Sequence, residues 1–266
     1  MWMTQFHHMA LTKTMNMERF WHVMFKVTDK CNIECDHCIE NGNKKSNNVM
    51  PRAMYIKVMD DVARKIKPEE RGDILYGLQG GEASLFPDVV RDIINEAHAR
   101  GARVGMATNG WWGTPDKIDG VLSIGLDYIG LSCDAYHQRH IPLKNIYNIL
   151  DALENHPTKI WLVAVVDDLK PAPRLDTKYQ GKIYMQELPL MNAGRGVNLA
   201  KGPRPQTIKE GISVYWDGRV NTVCDWENYT ATIGNAMRDD CYELLQKKCP
   251  GVFGRVCDQP CSGKYV

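Results

Sequence analysis

Three cysteines stand close together near the start of the chain, in the segment KCNIECDHC at residues 30–38. Cys31, Cys35 and Cys38 follow the spacing Cys-x3-Cys-x2-Cys, and thiolates at such short intervals suit a soft metal. A closed structural zinc site needs four ligands, whereas this loop supplies three. An iron–sulfur cubane on three thiolates leaves one iron open to another ligand. The alternative is a zinc site completed by His37 or a distant residue.

A second group of cysteines lies towards the C-terminus. Of the nine cysteines, Cys133 stands alone in the middle of the chain, and the last five are Cys224, Cys241, Cys249, Cys257 and Cys261. A reducing compartment gives disulfides no reason to persist, and an odd total cannot be fully paired. The distribution therefore predicts two separate metal sites.

The composition is that of a globular protein. The 266 residues are enough for one large α/β domain with a small appendage. Basic (33) and acidic (32) residues nearly balance, so nothing global favours nucleic acid or an anionic membrane. The chain has no membrane-spanning apolar run and no signal-peptide pattern at its start. We therefore expect a cytoplasmic protein without nucleic-acid or membrane partners.

Short β-prone runs alternate with helical stripes in front of the C-terminal cysteines. Apolar residues at helical spacing predict helices over 51–66, 89–97 and 146–153. The stretch 167–182 contains two prolines and no such stripe, which predicts an extended loop. The alternation predicts a parallel sheet with right-handed crossovers. Its six strands are expected at 22–28, 73–79, 102–107, 128–133, 160–166 and 183–188.

After residue 188 the chain turns to Gly, Pro and Arg, which indicates a boundary. Two β runs then flank Asp217-Gly218, the strongest short signal for a hairpin, and Cys224 follows directly. A helix-like stretch, DDCYELLQKK, contains Cys241. We therefore expect an N-terminal extension, a sheet-and-helix domain and a cysteine-rich appendage, at residues 1–20, 21–195 and 196–266.

The first cysteine group resembles the signature of the radical S-adenosylmethionine (SAM) enzymes, in the loop after the first strand. The resemblance implies a partial (β/α)6 TIM-like barrel and a [4Fe–4S] cluster on Cys31, Cys35 and Cys38, with SAM chelating the fourth iron. It also implies reductive cleavage of SAM to a 5′-deoxyadenosyl radical that abstracts a substrate hydrogen. His37 stands where relatives carry an aromatic residue near the adenine, and an imidazole can also stack.

Two further motifs of the family follow at strand ends. Gln79-Gly80-Gly81-Glu82 resembles the Gly-Gly-Glu motif, in which Gly80 and Gly81 let backbone approach the ligand and Glu82 suits the SAM ammonium group. Thr108-Asn109-Gly110 resembles the Thr-Asn-Gly of many relatives, which implies cofactor contacts from Thr108 and Asn109. A loop with a solvated acid and an ordinary turn are the alternatives.

The segment Ser132-Cys133-Asp134 ends the fourth predicted strand, where relatives carry Ser-x-Asp. This resemblance implies cofactor contacts from Ser132 and Asp134. Side chains alternate along a strand, so Cys133 is expected to be buried against the outer helices.

Several polar residues at later strand ends are candidates for catalysis. Tyr136 and His137 follow Asp134 on a loop, where they could contact substrate or transfer a proton near neutral pH. Glu187 lies in the sixth predicted strand and is a third catalytic candidate. Arg195, in a turn that resembles a Gly-Arg turn of some relatives, is predicted to bind the cofactor through a carboxylate. Incidental loop positions and a domain boundary are the alternatives.

The C-terminal cysteines resemble those of the twitch region, the shortened SPASM appendage of radical SAM enzymes. The resemblance implies one auxiliary [4Fe–4S] cluster, with Cys224, Cys241, Cys257 and Cys261 as preferred ligands. Cys249 could replace Cys241, or donate a hydrogen atom to a substrate radical. A structural zinc site is the rival interpretation.

The auxiliary cluster favours modification of a peptide or protein: a crosslink, an oxidation or an epimerisation. The barrel is expected to begin near residue 21, which leaves no room for a leader-binding domain and calls for a separate recognition protein or direct binding. The compact length favours a small-molecule dehydrogenase as the alternative. A noncatalytic iron–sulfur or zinc protein is a third hypothesis. The enzyme would need a low-potential electron donor such as flavodoxin or ferredoxin.

Overall fold

The structure is a computed structural model, and it describes residues 21–167, 170–179, 183, 185–190, 194–199, 211–222 and 232–248. Within these residues nine strands form one sheet: β1 (Trp21–Thr28), β2 (Ile74–Gly80), β3 (Arg103–Thr108), β4 (Tyr128–Ser132), β5 (Lys159–Val166), β6 (Met185–Pro189), β7 (Gly211–Tyr215), β8 (Arg219–Thr222) and β9 (Thr232–Asn235). The described part of the chain also contains five α-helices: α1 (Arg52–Lys65), α2 (Pro87–Ala99), α3 (Ile118–Leu122), α4 (Leu143–Ala152) and α5 (Cys241–Lys248).

The sheet has the order β6-β5-β4-β3-β2-β1-β7-β8-β9. Strands β1 to β6 run parallel, as their alternation with helices predicts, and all six predicted strands are confirmed. The predicted α/β class with a partial, TIM-like barrel is confirmed as well. Within the described chain β6 and β9 end the order, so the barrel is not closed.

The helices form where apolar residues repeat at helical spacing. In α1 the stripe Met54, Val58 and Val62 is buried, and Pro51 precedes the first helical residue. Helix α2 begins with Pro87 and buries residues such as Ile93 against the sheet, and α4 buries Ile146 and Ile149 in the same way. The three predicted helices are confirmed.

The main core lies between these helices and one face of the sheet. Alternate residues of β1, namely Val23, Phe25 and Val27, are completely buried in it. The intervening side chains of Met24 and Lys26 point to the opposite face, which lines the inside of the open barrel. Parallel strands that are covered on both faces are nearly continuous runs of apolar residues, so their positions can be predicted from the sequence.

The hairpin at Asp217-Gly218 is confirmed, and Gly218 has a positive φ of 90° that suits glycine in a tight turn. It does not form a sheet of its own. Strand β7 pairs in parallel with β1, so β7, β8 and β9 extend the barrel sheet beyond β1. Helix α5 confirms the predicted short helix and packs against α1.

Hydrogen bonds and an ion pair join α1 to the segment before α5. Lys57 Nζ donates to the carbonyl oxygen of Asp239 at 2.7 Å, and Arg64 pairs with Asp240 at 2.9 Å. The buried carboxylate of Asp61 accepts hydrogen bonds from Lys57 and from the backbone N–H of Cys241. The C-terminal elements are therefore fixed to the barrel by polar contacts as well as by the core.

Residues 170–179 contain no helix or strand, which agrees with the extended loop predicted for 167–182. The five-residue helix α3 was not predicted, because it is too short to draw an apolar stripe. The predicted extension 1–20 and the cysteines Cys224, Cys249, Cys257 and Cys261 lie outside the described residues. None of the described helices is long and apolar enough to cross a membrane.

Candidate active site

The cysteine loop follows β1 at the carboxyl end of the parallel strands, where barrel enzymes carry their active sites. Cys31 and Cys35 are buried and Cys38 is partly buried, and all three are free thiols. They pack with a small apolar cluster that includes Ile141 and Trp111, separate from the main core. The three sulfur donors are thus gathered in one shielded place.

The electrostatics of the loop suit a bound cation. Burial, with smaller contributions from the nearby Glu82 and Cys38, raises the pKa of Cys31 to about 11. Burial also raises the pKa of Cys35 strongly, and the neighbouring Cys38 and Cys31 add to the effect. Without a metal these two thiols stay protonated, whereas positively charged iron would favour their thiolates. The donor set therefore fits an iron–sulfur cluster.

Gly80 and Gly81 allow the end of β2 to lie directly against the cysteine loop. The backbone N–H groups of Gly81 and Glu82 donate to the carbonyl oxygens of Thr28 and Lys30, both at 2.7 Å. A Cβ on Gly81 would stand 1.9 Å from the carbonyl oxygen of Lys30. The sequence led us to expect that these glycines make room for a ligand; in the structure they make room for the backbone of the loop.

Glu82 joins the Gly-Gly-Glu segment to the end of β3. Its fully buried carboxylate accepts hydrogen bonds from Thr108 Oγ1 (2.8 Å), the backbone N–H of Asn109 (2.8 Å) and the hydroxyl of Ser84 (2.6 Å). Burial raises the pKa of Glu82, and the donated hydrogen bonds oppose that rise. The structure thus brings together Glu82, Thr108 and Asn109, whose contacts with SAM stay a prediction.

Asn109 reaches the cysteine loop from the end of β3. Its side-chain N–H group donates to Asn32 Oδ1 at 2.9 Å and lies 3.9 Å from Cys31 Sγ. A hydrogen bond to a thiolate ligand is one of the features that set the potential of an iron–sulfur cluster. Asn109 is therefore placed to act on the sulfur donor itself.

Asp134 is the centre of a buried polar cluster after β4. Its carboxylate accepts from His137 Nδ1 at 2.8 Å, and His37 Nε2 lies 3.7 Å away. Burial by itself raises the pKa of Asp134, but the hydrogen bonds and charge of His137, together with His37, bring it down to about 2. Asp134 is therefore ionised at neutral pH and orients the His137 ring.

His37 and Tyr136 stack beside Asp134, with ring centroids 4.5 Å apart. Burial lowers the pKa of His37 to about 4, so its ring is neutral, and Nδ1 has no hydrogen-bond partner among the described residues. A buried ring nitrogen without a partner fits a site for a bound molecule. The Tyr136 hydroxyl donates to Asp167 at 2.5 Å, while Lys170 Nζ lies 3.7 Å from the ring centre.

The other predicted residues take different positions. Ser132 ends β4 and is partly exposed, whereas Cys133 is buried in the main core, as expected. Glu187 is exposed and in register with the core residue Ala164, so it points away from the inner face of the barrel. The structure does not bring Glu187 towards the Asp134 cluster.

Sequence reasoning missed Lys26, although a charged residue inside the apolar run HVMFKVT is a recognisable signal. Its side chain is 5% exposed and binds Glu40, two residues beyond Cys38, and Gln79 at 2.8 Å. Lys26 therefore ties β1 and the end of β2 to the far side of the cysteine loop.

Comparison with known families agrees with this site. The sequence pattern of the radical SAM superfamily matches residues 25–167, more than half of the chain. The chain belongs to the radical SAM superfamily. It is an enzyme of the radical SAM class, and the family implies a [4Fe–4S] cluster and SAM.

Three relatives illustrate the range of this superfamily. The tungsten-containing aldehyde ferredoxin oxidoreductase cofactor-modifying protein of Pyrococcus furiosus is 23% identical over 216 residues, 75% of this chain and 56% of its own length. BtrN in complex with AdoMet and 2-DOIA matches 85% of this chain and 82% of its own, with 16% identity and a TM-score of 0.55. Streptococcus suis SuiB bound to its precursor peptide SuiA matches 96% of this chain and 70% of its own, with 10% identity and a TM-score of 0.59.

The chain thus spans little more than half of the Pyrococcus relative. The two solved structures are similar to this radical SAM enzyme in fold.

One C-terminal cysteine of this radical SAM enzyme is described. Cys241 is the first residue of α5 and is completely buried in the main core. Burial raises the pKa of its thiol to about 12, and the nearby Asp61 adds to the effect. Its surroundings are those of an apolar core residue.

Proposed function

We propose that this radical SAM enzyme acts on a peptide or protein, giving a crosslink, an oxidation or an epimerised residue. With a [4Fe–4S] cluster and SAM bound, the site supplies a 5′-deoxyadenosyl radical that abstracts a hydrogen atom from the substrate. Cys31, Cys35 and Cys38 hold the cluster. The gathering of these three thiols, with no fourth described cysteine in their cluster, is the observation that supports the radical SAM chemistry of this proposal.

The cofactor side of the site is formed by residues at three strand ends. Glu82 fixes Thr108 and Asn109, and both Glu82 and Asn109 are bonded to the cysteine loop. Gly80, Gly81, Ser132 and Asp134 complete the set proposed to bind SAM. His37 presents a neutral ring whose Nδ1 has no partner among the residues that the structure describes, and this ring can stack on an adenine and bond to it.

His137 is the residue proposed to move a proton. Asp134 Oδ2 accepts from Nδ1, so whenever the imidazole is neutral its proton is held at Nδ1 and Nε2 is the acceptor nitrogen. Nε2 can then take a proton from a substrate group that becomes acidic once a neighbouring carbon has lost its hydrogen atom. Tyr136 is proposed to contact substrate through its ring, because its hydroxyl is already bonded to Asp167.

A peptide substrate is supported by the open side of the barrel. In the described chain β6 pairs with β5 alone and ends the sheet order, and we propose that the substrate lies along this edge of the open barrel. A chain-like substrate can enter along such an edge, whereas a closed barrel admits molecules only at its mouth. The fold likeness to peptide-bound SuiB agrees with this, and a separate recognition protein is a possible partner.

The appendage at 196–266 is proposed to be a twitch-like region that holds a second [4Fe–4S] cluster. Since Cys241 packs as a core residue, we now favour the other four cysteines as its ligands, with Cys249 replacing Cys241. These ligands are Cys224, Cys249, Cys257 and Cys261. A flavodoxin or ferredoxin is the proposed electron donor.

A small-molecule dehydrogenase is the second candidate. BtrN, solved with AdoMet and 2-DOIA, is matched over 85% of this chain and 82% of its own, which shows that a chain of similar size carries this fold. The two candidates share the cluster and SAM site and differ in substrate alone.

Anaerobic reconstitution with iron and sulfide, followed by SAM and a strong reductant, tests the chemistry. The wild-type chain should bind about eight irons, two cubanes, and release 5′-deoxyadenosine. Replacing Cys31, Cys35 and Cys38 by alanine should halve the iron and abolish cleavage. Cys133→Ala is the matched control, because Cys133 lies in the main core. This variant should keep the wild-type iron content and the cleavage of SAM. Cleavage by the triple variant would refute the assignment.

The substrate class needs a separate test. Extracts of the native organism, grown in deuterated medium, are separated into a peptide fraction and a small-molecule fraction and added to the reconstituted enzyme. Deuterium transferred into 5′-deoxyadenosine identifies the fraction that holds the substrate. Label from the peptide fraction supports the proposal, and label from the small-molecule fraction alone would establish the second candidate.

A further inference from the structure

Arg195 contacts the cysteine loop through backbone atoms of the loop. Its Nε–H donates to the carbonyl oxygen of Cys35 and its Nη1–H to that of Gly42, both at 2.8 Å. Its own backbone N–H donates to the carbonyl oxygen of Cys38 at 2.9 Å. One residue from the short 3₁₀ helix Gly194–Asn198 thus bonds to three points of the loop, more than 150 positions earlier in the sequence.

Gly194 brings this helix into direct contact with the loop. It has a positive φ of 55°, and a Cβ there would stand 2.3 Å from the carbonyl oxygen of Cys38 and 2.6 Å from that of Ile39. Both are backbone atoms, which a rotamer change cannot move away. The absence of a side chain at residue 194 is therefore required for the contacts that Arg195 makes.

The guanidinium also places a positive charge beside the sulfur donors. Arg195 Nε is bonded to the carbonyl oxygen of Cys35, so the charge lies against the backbone of a residue that supplies one of the sulfur donors. Carbonyl oxygens carry partial negative charge, and Arg195 binds two of them on the loop. Reduction adds one negative charge to a cluster, and a nearby fixed cation stabilises that state.

We propose that Arg195 is a positioning residue that fixes the cysteine loop to the end of β6, and that its charge raises the reduction potential of the cluster held there. This inference rests on the proposed [4Fe–4S] site. It replaces the expectation that Arg195 binds a carboxylate of the cofactor, because Nε and Nη1 are already bonded to the loop.

Three variants test the two parts of the role. Arg195→Gln removes the charge and the pair of side-chain bonds. Arg195→Lys keeps the charge but lacks the planar guanidinium group that donates to two carbonyl oxygens at once. Arg139→Gln is the matched control, because Arg139 also binds the loop, through Asp36 at 2.6 Å, but as an exposed surface pair.

Two readouts besides activity are measured on the full-length reconstituted chain. The first is the rate of iron release to a chelator. The second is the midpoint potential of the cluster signal whose electron paramagnetic resonance spectrum changes when SAM is added, which assigns it to the Cys31–Cys38 loop. SAM affinity is measured alongside.

Arg195→Gln should release iron at least fivefold faster and lower the equilibrium constant for reduction about tenfold, which is about 59 mV for one electron. Arg195→Lys should release iron faster with a nearly unchanged potential, and it carries the test if the Gln variant does not fold. The Arg139→Gln control should match the wild type in both measurements.

Equal behaviour of the Arg195 and Arg139 variants would overturn the inference. A large loss of SAM affinity in Arg195→Gln, with unchanged iron release and potential, would instead establish binding of the cofactor carboxylate. A wild-type chain that forms no cluster would refute the proposed function itself, whatever the variants do.

Discussion

The close approach of Gly81 to the cysteine loop leads to a sharp prediction for Gly81→Ala. The added Cβ would lie 1.9 Å from the carbonyl oxygen of Lys30 and 2.4 Å from its carbonyl carbon. An ordinary contact begins near 3.4 Å, so the two backbones must separate by 3.4 minus 1.9, or 1.5 Å. The substitution therefore moves the loop that carries the three thiols.

The cost follows from the contacts that such a shift disturbs. Overpacking a rigid site typically costs about 1–3 kcal/mol. The shift also stretches the hydrogen bonds that Gly81 and Glu82 donate to Thr28 and Lys30, each worth about 1 kcal/mol net. We expect Gly81→Ala to lower the free energy of unfolding by about 3–5 kcal/mol.

Urea unfolding of the iron-free protein, followed by fluorescence of its seven tryptophans, measures this loss. Gly120→Ala is the matched control, because Gly120 lies in α3 and a Cβ there meets no atom within 4 Å. In a helix that change should raise the free energy of unfolding by about 0.5–1 kcal/mol. The reasoning would be refuted if Gly81→Ala had a free energy of unfolding within about 1 kcal/mol of wild type, the size of one hydrogen bond, and cleaved SAM normally.

Two further predictions concern buried carboxylates. The pKa of Asp134 is about 2, compared with an ordinary value of 3.8. The ionised carboxylate therefore adds roughly 2 kcal/mol to the free energy of unfolding above about pH 4, and this contribution is lost as the pH falls towards 2. Unfolding measured from pH 5 to pH 2 should show Asp134→Asn losing stability less steeply than wild type, and parallel curves would contradict the assignment. Asp61→Asn should lower the free energy of unfolding by about 1–3 kcal/mol, because it weakens the hydrogen bonds from Lys57 and Cys241. Asp60→Asn, at the exposed neighbouring residue, should change the free energy of unfolding by less than about 1 kcal/mol. Equal losses at residues 60 and 61 would show that the contact with α5 contributes nothing.

The elements of the fold were largely predictable from the sequence because each has a local signal. Strands β1 to β6 are short apolar runs at helix-plus-strand intervals, and the hairpin depends on Asp217-Gly218. The parallel pairing of β7 with β1 has no such signal, since it joins Val23 and Ile212 across most of the chain. Pairing of that kind depends on tertiary contacts that local periodicity does not encode.

The site residues that could be predicted are those whose spacing along the sequence forms a recognisable motif. Cys31, Cys35 and Cys38 are recognisable by their intervals, and Glu82 by the two glycines before it. The role of Arg195 could not be predicted, because the sequence shows a guanidinium but not the carbonyl groups that it meets. The partners of Asp134 were only partly predictable for the same reason: His137 is three residues away, whereas His37 comes from another loop.

A loop that holds a cluster faces a physical conflict, because it must bring three thiolates together against their mutual repulsion and yet has no regular secondary structure. The described structure resolves this conflict with side chains from three elements outside the loop. Lys26 of β1 binds Glu40, Asn109 after β3 binds Asn32, and Arg195 after β6 binds the loop carbonyls. Since two of these three groups are cations, the same contacts that hold the loop in place also offset its negative charge. Geometry and reduction potential are therefore expected to change together when either cationic contact is removed, and Asn109, which lies 3.9 Å from Cys31 Sγ, is expected to affect both through a neutral hydrogen bond.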